Sequence, residues 1–284
     1  MPAAGEPTPF AVGESPEIRG ERVGEGAPVV LCHGITATRR YVLHGSRALE
    51  RAGHAVVAYD ARGHGDSDPA PEGQGYGYPE MVGDLEAVVA STVGEGRFAL
   101  VGHSMGSHTA LAYALRHPER VAGLVVIGPV YAGAIEADAL AYWDGLADSL
   151  KEGGIEGFVD YIEREQGIDP AWRETVLRFT RARMRLHRNL GALVDALRQV
   201  PRSAPFESMR SLEGLDLPAL VIASHDAADP GHPYAVAAAY AERLPRARLI
   251  AESEGESPLA WQGGGLSREI AAFCAQSEVA ERFD

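Results

Sequence analysis

The chain is short of positive charge and of long apolar runs, and each shortage excludes a class of protein. Its 284 residues carry 26 Lys and Arg against 40 Asp and Glu, so the formal net charge is −14. Such a balance gives little attraction to a phosphate backbone. No apolar run reaches the ~18 residues of a membrane-spanning helix. Residues 1–7 lack the basic and apolar regions of a signal peptide. These absences predict a cytoplasmic protein with no nucleic-acid or membrane partner.

Cysteine is also scarce: the chain has only Cys32 and Cys274. Neither lies in a spacing typical of metal ligands. In a reducing compartment, two buried free thiols are favoured over the alternative of a disulfide. The sequence therefore predicts neither a metal site nor a cofactor.

Residues 102–106 read Gly-His-Ser-Met-Gly, a Gly-x-Ser-x-Gly pattern. An apolar run, residues 98–101, precedes it, and a helix-favouring segment follows. Strand, sharp turn and helix form the context in which this pattern makes a nucleophile elbow. Ser104 is then expected on a strained turn, with the N–H of Met105 facing a developing oxyanion. A Gly/Ser-rich turn with no chemical role is the alternative.

Apolar runs that alternate with helical segments predict an α/β protein with a mostly parallel, doubly wound sheet. Residues 1–15, rich in Pro, Gly and Glu, are expected to form a weakly ordered arm. Between residues 131 and 205 only helical spacing is found, which predicts an inserted helical cap. Residues 16–130 and 206–284 then form the core. The predicted strands cover residues 18–23, 27–32, 55–59, 98–101, 121–127, 217–223 and 247–251.

Four motifs in register resemble those of α/β-hydrolase-fold proteins with a helical cap. They are His33-Gly34 and three segments, residues 60–65, 102–106 and 229–233. The resemblance covers nearly the whole chain after residue 15. It implies hydrolysis of an ester, amide, lactone, epoxide, halide or C–C bond, and the fold alone does not choose among these.

The resemblance also assigns roles to individual residues. Ser104 is the nucleophile, the backbone N–H groups of Ile35 and Met105 form the oxyanion hole, and Asp229 is the acid. Asp226 is the alternative acid. A structural Asp that caps the next helix is a further reading of Asp229.

Other motif residues are expected around the site or in support of it. His33, His103 and Trp261 are predicted to contact the substrate. A structural His at a strand end is the alternative for His33. Asp60 and Arg62 are predicted to tie loops together rather than to take part in catalysis.

The expected base is where the chain departs from the family pattern. The family supplies a His in a turn after the last strand, but this sequence has Glu256 there and no His beyond His232. A glutamate, with an ordinary pKa of about 4.3, is a poor base at neutral pH. Three hypotheses stay open: His225 or His232 turns inward as the base, Glu256 is an atypical acid/base, or the protein only binds a ligand.

The sequence thus predicts a hydrolase acting on a small acyl substrate, with Ser104, Asp229 and Glu256 in the catalytic positions. A non-hydrolytic binder of small hydrophobic ligands is the alternative. Arginines between residues 173 and 188 favour a carboxylate-bearing substrate in one interpretation. A solvated helix face paired with acidic neighbours is the interpretation that the sequence favours.

Overall fold

The computed structural model describes residues 5–225 and 228–283, and the strands of this part form one eight-stranded sheet. The strand order is β1-β2-β4-β3-β5-β6-β7-β8. β1 and β2 are antiparallel to their neighbours, and the other pairs are parallel. The strands are β1 Thr8–Val12, β2 Ile18–Val23, β3 Ala27–Cys32, β4 His54–Tyr59, β5 Phe98–His103, β6 Val121–Ile127, β7 Ala219–Ile222 and β8 Ala247–Ile250.

Helices follow most of the strands, as a doubly wound sheet requires. They are α1 Ala48–Arg51, α2 Tyr78–Thr92, α3 Met105–Arg116, α4 Ala137–Glu165, α5 Arg173–Met184, α6 Leu190–Gln199, α7 Tyr234–Arg243, α8 Gly263–Cys274 and α9 Ser277–Ala280. Short 3-10 turns add Arg39–Tyr41, Pro118–Arg120, Val200–Arg202, Met209–Gly214 and Leu259–Trp261. Gly154 interrupts α4 with a φ of 61°.

The sheet is buried on both faces because successive strand residues point to opposite sides. In β3, Val30 and Cys32 join the cluster that contains α2, α3 and α7. Val29 and Leu31 join the cluster on the other face, with α1, α8 and α9. This arrangement confirms the predicted α/β-hydrolase fold class, with a mostly parallel sheet between two helical layers.

Between β6 and β7 the main elements are three helices, α4, α5 and α6, followed by two 3-10 turns. Their buried apolar residues form a third cluster with Ile35 and Met105 of the core. Ile35 follows β3 and Met105 follows β5, so the helices lie over the carboxyl edge of the sheet. Ligands of open α/β sheets bind at this edge. We call these three helices the cap.

The N-terminal segment differs from the predicted arm. Residues 8–12 form β1, paired antiparallel with β2, and Phe10 and Val12 pack against the core. Phe10 and Val12 are two positions apart, so both side chains point to the same face of β1. This short apolar pattern is hard to recognise in the sequence because the segment around it is rich in Pro and Gly. Residues 1–4 of the predicted arm lie outside the described residues.

Both cysteines are buried free thiols. Burial raises the pKa of Cys32 to about 12, and its Sγ lies 3.5 Å from the hydroxyl of Tyr59. Within the described ranges, no group of His, Cys, Asp and Glu side chains has the arrangement of a metal site. No helix of the described chain is long and apolar enough to cross a membrane.

Candidate active site

Ser104 joins β5 to α3 in a backbone conformation that few residues other than glycine adopt. Its φ is 52° and its ψ is −117°. Such a conformation costs on the order of 1–3 kcal/mol and persists only where the surroundings hold it. Here the N–H of Ser104 donates to the carbonyl of Ile127 at 2.9 Å, and the Ser107 hydroxyl donates to the Ser104 carbonyl at 2.6 Å. This sharp strand–turn–helix geometry is the one that the Gly-x-Ser-x-Gly pattern predicts, and we call it the elbow.

Two glycines make this turn possible. A Cβ on Gly102 would lie 2.2 Å from the carbonyl oxygen of Gly106. A Cβ on Gly106 would lie 2.1 Å from the carbonyl oxygen of Cys32. Both distances are far below van der Waals contact, so the start of α3 packs against the end of β3 only because side chains are absent.

The two predicted oxyanion donors border the elbow. A Cβ on Gly34 would lie 3.3 Å from the Cβ of Ser104, so the turn that precedes Ile35 contacts the elbow directly. Met105 is the first residue of α3, where helical N–H groups have no intrahelical acceptor. Neither the Ile35 nor the Met105 N–H has a hydrogen-bond acceptor among residues 5–225 and 228–283. Both amides are therefore available to an acceptor at Ser104.

His33 supports this turn instead of facing the site. Its side chain is buried, the Ala61 N–H donates to Nε2 at 2.9 Å, and Nδ1 donates to the Gly34 carbonyl at 2.8 Å. Burial, with the neighbouring His64, lowers the pKa of His33 well below its ordinary value. Since both ring nitrogens are engaged by main chain, the structure favours the structural alternative for His33, and its predicted substrate contact stays a prediction.

Asp229 is paired with His232, three residues later on the loop after β7. Asp229 Oδ2 lies 2.9 Å from His232 Nδ1. Burial raises the pKa of Asp229, but the charge and hydrogen bond of His232, with smaller contributions from His103 and Arg183, bring it below its ordinary value. With Nδ1 directed at the carboxylate, Nε2 is the ring nitrogen that is left to accept a proton from another group. This Nε2 has no hydrogen-bond partner in the described part of the chain.

His232 lies against the two chain segments that flank Ser104. Its ring centroid is 5.1 Å from that of His103, the residue before Ser104. A Cβ on Gly128 would lie 3.2 Å from the His232 ring, and Gly128 follows the Ile127 carbonyl that holds the Ser104 N–H. The Asp229–His232 pair is therefore adjacent to the elbow.

Glu256 does not join this group. Its side chain is exposed, and Oε2 accepts a hydrogen bond from the Ser253 N–H at 3.3 Å within the same turn. Gly255, with a φ of 85°, directs the chain back on itself at that point. The prediction that Glu256 occupies the base position is not supported by this placement, because its carboxylate serves its own turn.

The buried carboxylate of the loop after β8 belongs to Glu252, which sequence reasoning missed. Its Oε1 accepts from the His225 N–H at 2.7 Å, and its Oε2 accepts from the Leu259 N–H at 2.9 Å. Glu252 therefore ties the loop after β7 to the loop after β8. In the acidic stretch of residues 252–256, no sequence signal separates this glutamate from its neighbours.

The remaining candidates take other positions. The His225 ring stacks on the ring of Tyr234, with a centroid distance of 5.4 Å and an interplanar angle of 5°. Asp226, the alternative acid, lies outside the described residues. Trp261 meets Trp172 of the cap edge to face at 6.1 Å, which places it where core and cap touch. Its contact with substrate stays a prediction.

His103 faces inward from the elbow. Its Nε2 is buried and has no hydrogen-bond partner within the described ranges. Burial, followed by the neighbouring His232, lowers the pKa of His103 to about 3, so the ring is neutral. A neutral ring with an unused nitrogen is compatible with the predicted substrate contact, which stays a prediction.

Asp60 and Arg62 have the architectural role that the sequence predicts. Arg62 donates from Nε and Nη2 to the two carboxylate oxygens of Asp84, each at 2.7 Å. Asp60 accepts from the Arg39 N–H at 2.8 Å and also pairs with the Arg39 guanidinium. These buried pairs fix the turn after β4 beneath the cap.

A family model described as the alpha/beta hydrolase fold matches residues 27–263 of the chain. The protein therefore belongs to the alpha/beta hydrolase fold family. The match begins at β3 and extends to the start of α8, so it includes the elbow, the cap and the Asp229–His232 pair.

Curated relatives match a shorter part of the chain. Epoxide hydrolase B of Mycobacterium tuberculosis is 39% identical over 109 residues, which cover 38% of this chain and 30% of that protein. An sn-1-specific diacylglycerol lipase of Mus musculus is 36% identical over 100 residues, or 35% of this chain and 31% of that protein. The chain thus aligns with about a third of the length of either relative.

Solved structures match almost the whole chain at low sequence identity. A hydrolase from Pseudomonas aeruginosa has a TM-score of 0.75 at 20% identity, over 95% of this chain and 99% of that one. A thermophilic esterase from Thermogutta terrifontis has a TM-score of 0.77 at 20% identity, over 99% of this chain and 100% of that one. At such identity the likeness establishes the fold alone.

Proposed function

We propose that the protein is a hydrolase that cleaves a small acyl substrate, an ester or a lactone, with Ser104 as nucleophile and His232 as base. The observation that carries this proposal is the Asp229–His232 hydrogen bond beside the strained turn at Ser104. Nucleophile, base and a third group that orients the base make up the arrangement needed for covalent acyl transfer.

In the first half-reaction, Ser104 Oγ attacks the substrate carbonyl while His232 Nε2 takes the hydroxyl proton. The carbonyl oxygen becomes an oxyanion that accepts hydrogen bonds from the N–H groups of Ile35 and Met105. Loss of one such donor costs a factor of about 10²–10³ in turnover in enzymes of this type. The C–O bond then breaks, and the imidazolium gives its proton to the departing alcohol.

In the second half-reaction, water attacks the acyl-Ser104 ester. His232 Nε2 takes a proton from that water and returns it to Ser104 Oγ, which releases the carboxylic acid. Asp229 holds the proton of Nδ1 throughout, which orients the ring and stabilises the imidazolium. An imidazole suits this work at neutral pH far better than the carboxylate of Glu256.

The named relatives support hydrolysis in general and differ in the bond they cleave, an epoxide in one case and a lipid ester in another. A serine hydroxyl at the elbow favours acyl transfer among these chemistries, because it forms an ester intermediate that water can cleave.

A fluorophosphonate probe tests the proposal, since it reacts quickly only with an activated serine. The wild-type protein and Glu256→Gln are expected to be labelled at Ser104 at similar rates. His232→Ala is expected to be labelled at least about 10³-fold more slowly, and Ser104→Ala not at all. Rapid labelling of His232→Ala with slow labelling of Glu256→Gln would contradict the assignment of the base. Absence of labelling in the wild type would favour the alternative, a protein that binds a ligand without cleaving it.

A further inference from the structure

The arginines of the cap fall into two groups, and Arg183 of α5 stands apart from most of them. Many of the others pair with surface carboxylates: Arg173 with Glu163, Arg181 with Glu156, Arg198 with Asp148 and Arg202 with Asp144. Arg183 has no ion pair or hydrogen bond with any described residue, and its Nε is buried. The Arg183 side chain is partly buried, so its guanidinium has lost some of its contact with water and has no protein partner in return, which leaves its N–H donors free for a ligand.

Three contacts hold α5 and its following turn against the core. Trp172 meets Trp261 at 6.1 Å, and Phe179 meets His44 edge to face at 6.3 Å. After the helix, His187 accepts from the Gly65 N–H at 3.2 Å through Nδ1, so its Nε2 carries the proton that faces the Thr36 carbonyl at 3.3 Å. Thr36 is next to the oxyanion donor Ile35.

The helical register then fixes which side Arg183 occupies. Thr180 and Met184 are fully buried in the cap. Phe179 and Arg183 are four residues apart and share the neighbouring face. Because Phe179 touches His44, that face is directed at the core loop after β3. Arg183 therefore lies between cap and core, above the edge that carries Ser104.

The electrostatic surroundings of Arg183 agree with this location. Burial lowers the pKa of the Arg183 guanidinium, and the charge of Asp229 offsets part of that effect. In turn Arg183 contributes to lowering the pKa of Asp229 and of His103. These two residues belong to the acid loop and to the elbow. Asp229 is already engaged with His232 and makes no ion pair with Arg183 within the described ranges.

We propose that Arg183 binds a carboxylate group of the substrate, so that the preferred substrates are esters or lactones that carry a second, free carboxylate. The proposal rests on the hydrolase function given above and names its substrate class. A guanidinium offers paired N–H donors that match a carboxylate, and this strong, charge-assisted pairing is favoured where water is excluded. The scissile carbonyl is then held at Ser104 and the free carboxylate at the cap.

Arg185 offers a matched control. It follows Arg183 by two residues, has the same charge, and is exposed to solvent. Arg185→Gln removes one positive charge from the same segment without touching the site. Any effect of general charge appears in both variants, whereas an effect of carboxylate binding appears only at Arg183.

The first experiment compares kcat/KM for mono-4-nitrophenyl glutarate and for its methyl ester, which has the same chain without the charge. The wild type and Arg185→Gln are expected to prefer the charged ester by about 10-fold or more. Arg183→Gln is expected to lose that preference through a higher KM, and Arg183→Lys to keep part of it. If Arg183→Gln slows both esters equally and leaves the preference intact, Arg183 does not bind the carboxylate and the proposal is overturned.

A second measurement does not depend on turnover. Calorimetric titration of Ser104→Ala with glutarate is expected to show binding that the Ser104→Ala/Arg183→Gln variant loses. If this binding is found but the wild type neither reacts with fluorophosphonate nor cleaves any ester, the carboxylate site stands and the hydrolase function fails. If labelling and cleavage of the neutral ester are found without Arg183-dependent glutarate binding or preference, only the carboxylate site fails.

Discussion

The loops that follow β7 and β8 are neighbours on the sheet, yet they carry different chemistry. The loop after β7 holds Asp229 and His232 in one hydrogen-bonded pair. The loop after β8, where the family pattern has the base, holds a buried carboxylate, Glu252, that bonds two backbone N–H groups. Because the carboxyl ends of parallel strands meet at one edge, a catalytic group can be supplied from an adjacent loop without any change of fold.

Removal of the His232 imidazole should separate the two loops by the largest effect. His232→Ala is expected to lower kcat for short 4-nitrophenyl esters by about 10⁴-fold or more, because loss of the base of a serine triad has effects of that order. Glu256→Gln is the control and is expected to keep kcat within about threefold, because its side chain is exposed and bonds only within its own turn. Equal losses of kcat in the two variants would mean that the loop after β7 contributes no more to catalysis than the loop after β8.

Removal of the carboxylate partner tests whether the pair acts as a unit. Asp229→Asn is expected to lower kcat by about 10³–10⁴-fold, since the ring loses the group that holds its tautomer. The double variant with His232→Ala should be no worse than His232→Ala alone, which steady-state kinetics would measure. Additive losses would mean that the two residues act independently.

The lowered pKa of Asp229 predicts how the stability of the folded protein changes with pH. Its pKa is lower in the folded protein than its ordinary value, so its ionised form stabilises the fold. This contribution is fully present above the unfolded pKa of about 3.9 and is lost as the pH falls through the lower folded value. Urea unfolding between pH 7 and pH 3 should therefore show a smaller acid-side loss of stability for Asp229→Asn than for the wild type. An unchanged acid-side slope would contradict the lowered pKa.

Substitutions of the two glutamates of the loop after β8 should change the stability of the protein by different amounts. Glu252→Ala leaves two backbone N–H groups without their acceptor and is expected to cost about 1–3 kcal/mol. Glu256→Ala, at an exposed turn, is expected to stay within about 0.5 kcal/mol. Urea unfolding followed by circular dichroism would measure both. A larger loss for Glu256→Ala would reverse the roles given to them.

The smallest expected effect belongs to Glu256→His, which restores the residue of the family pattern. If His232 already serves as base, the new imidazole on an exposed turn should change kcat by less than about twofold. A gain of an order of magnitude or more would show that the base position after β8 is open, and that His232 does not fill it.

Part of this structure could be predicted from the sequence alone. The elbow is a local structure: Gly102, Ser104 and Gly106 sit within five residues, so their pattern predicts the turn directly. The parallel strands can also be predicted directly, because continuous apolar runs identify strands that are covered on both faces. The fold and the neighbourhood of Ser104 follow from these short-range signals.

The residues around the elbow were harder to predict because they depend on side-chain direction in loops. Glu252 and Glu256 are four positions apart in an acidic stretch, and no local pattern indicates that Glu252 is the buried one. His225 and His232 are both near Asp229 in the sequence. The structure distinguishes them, because the His225 ring stacks on Tyr234 whereas His232 bonds Asp229. Arg183 likewise stands among similar arginines, and its orientation depends on how α5 docks.

The proposed function depends above all on His232, which would serve Ser104 as base from the loop after β7. A crystal structure of the protein after reaction with a small fluorophosphonate would test it most directly, because the adduct fixes the tetrahedral geometry at Ser104. We expect His232 Nε2 within ~3.2 Å of Ser104 Oγ or of the leaving-group oxygen position, with Nδ1 still bonded to Asp229. A His232 ring turned away from the adduct, with a different side chain within hydrogen-bond distance of Ser104 Oγ, would contradict the account.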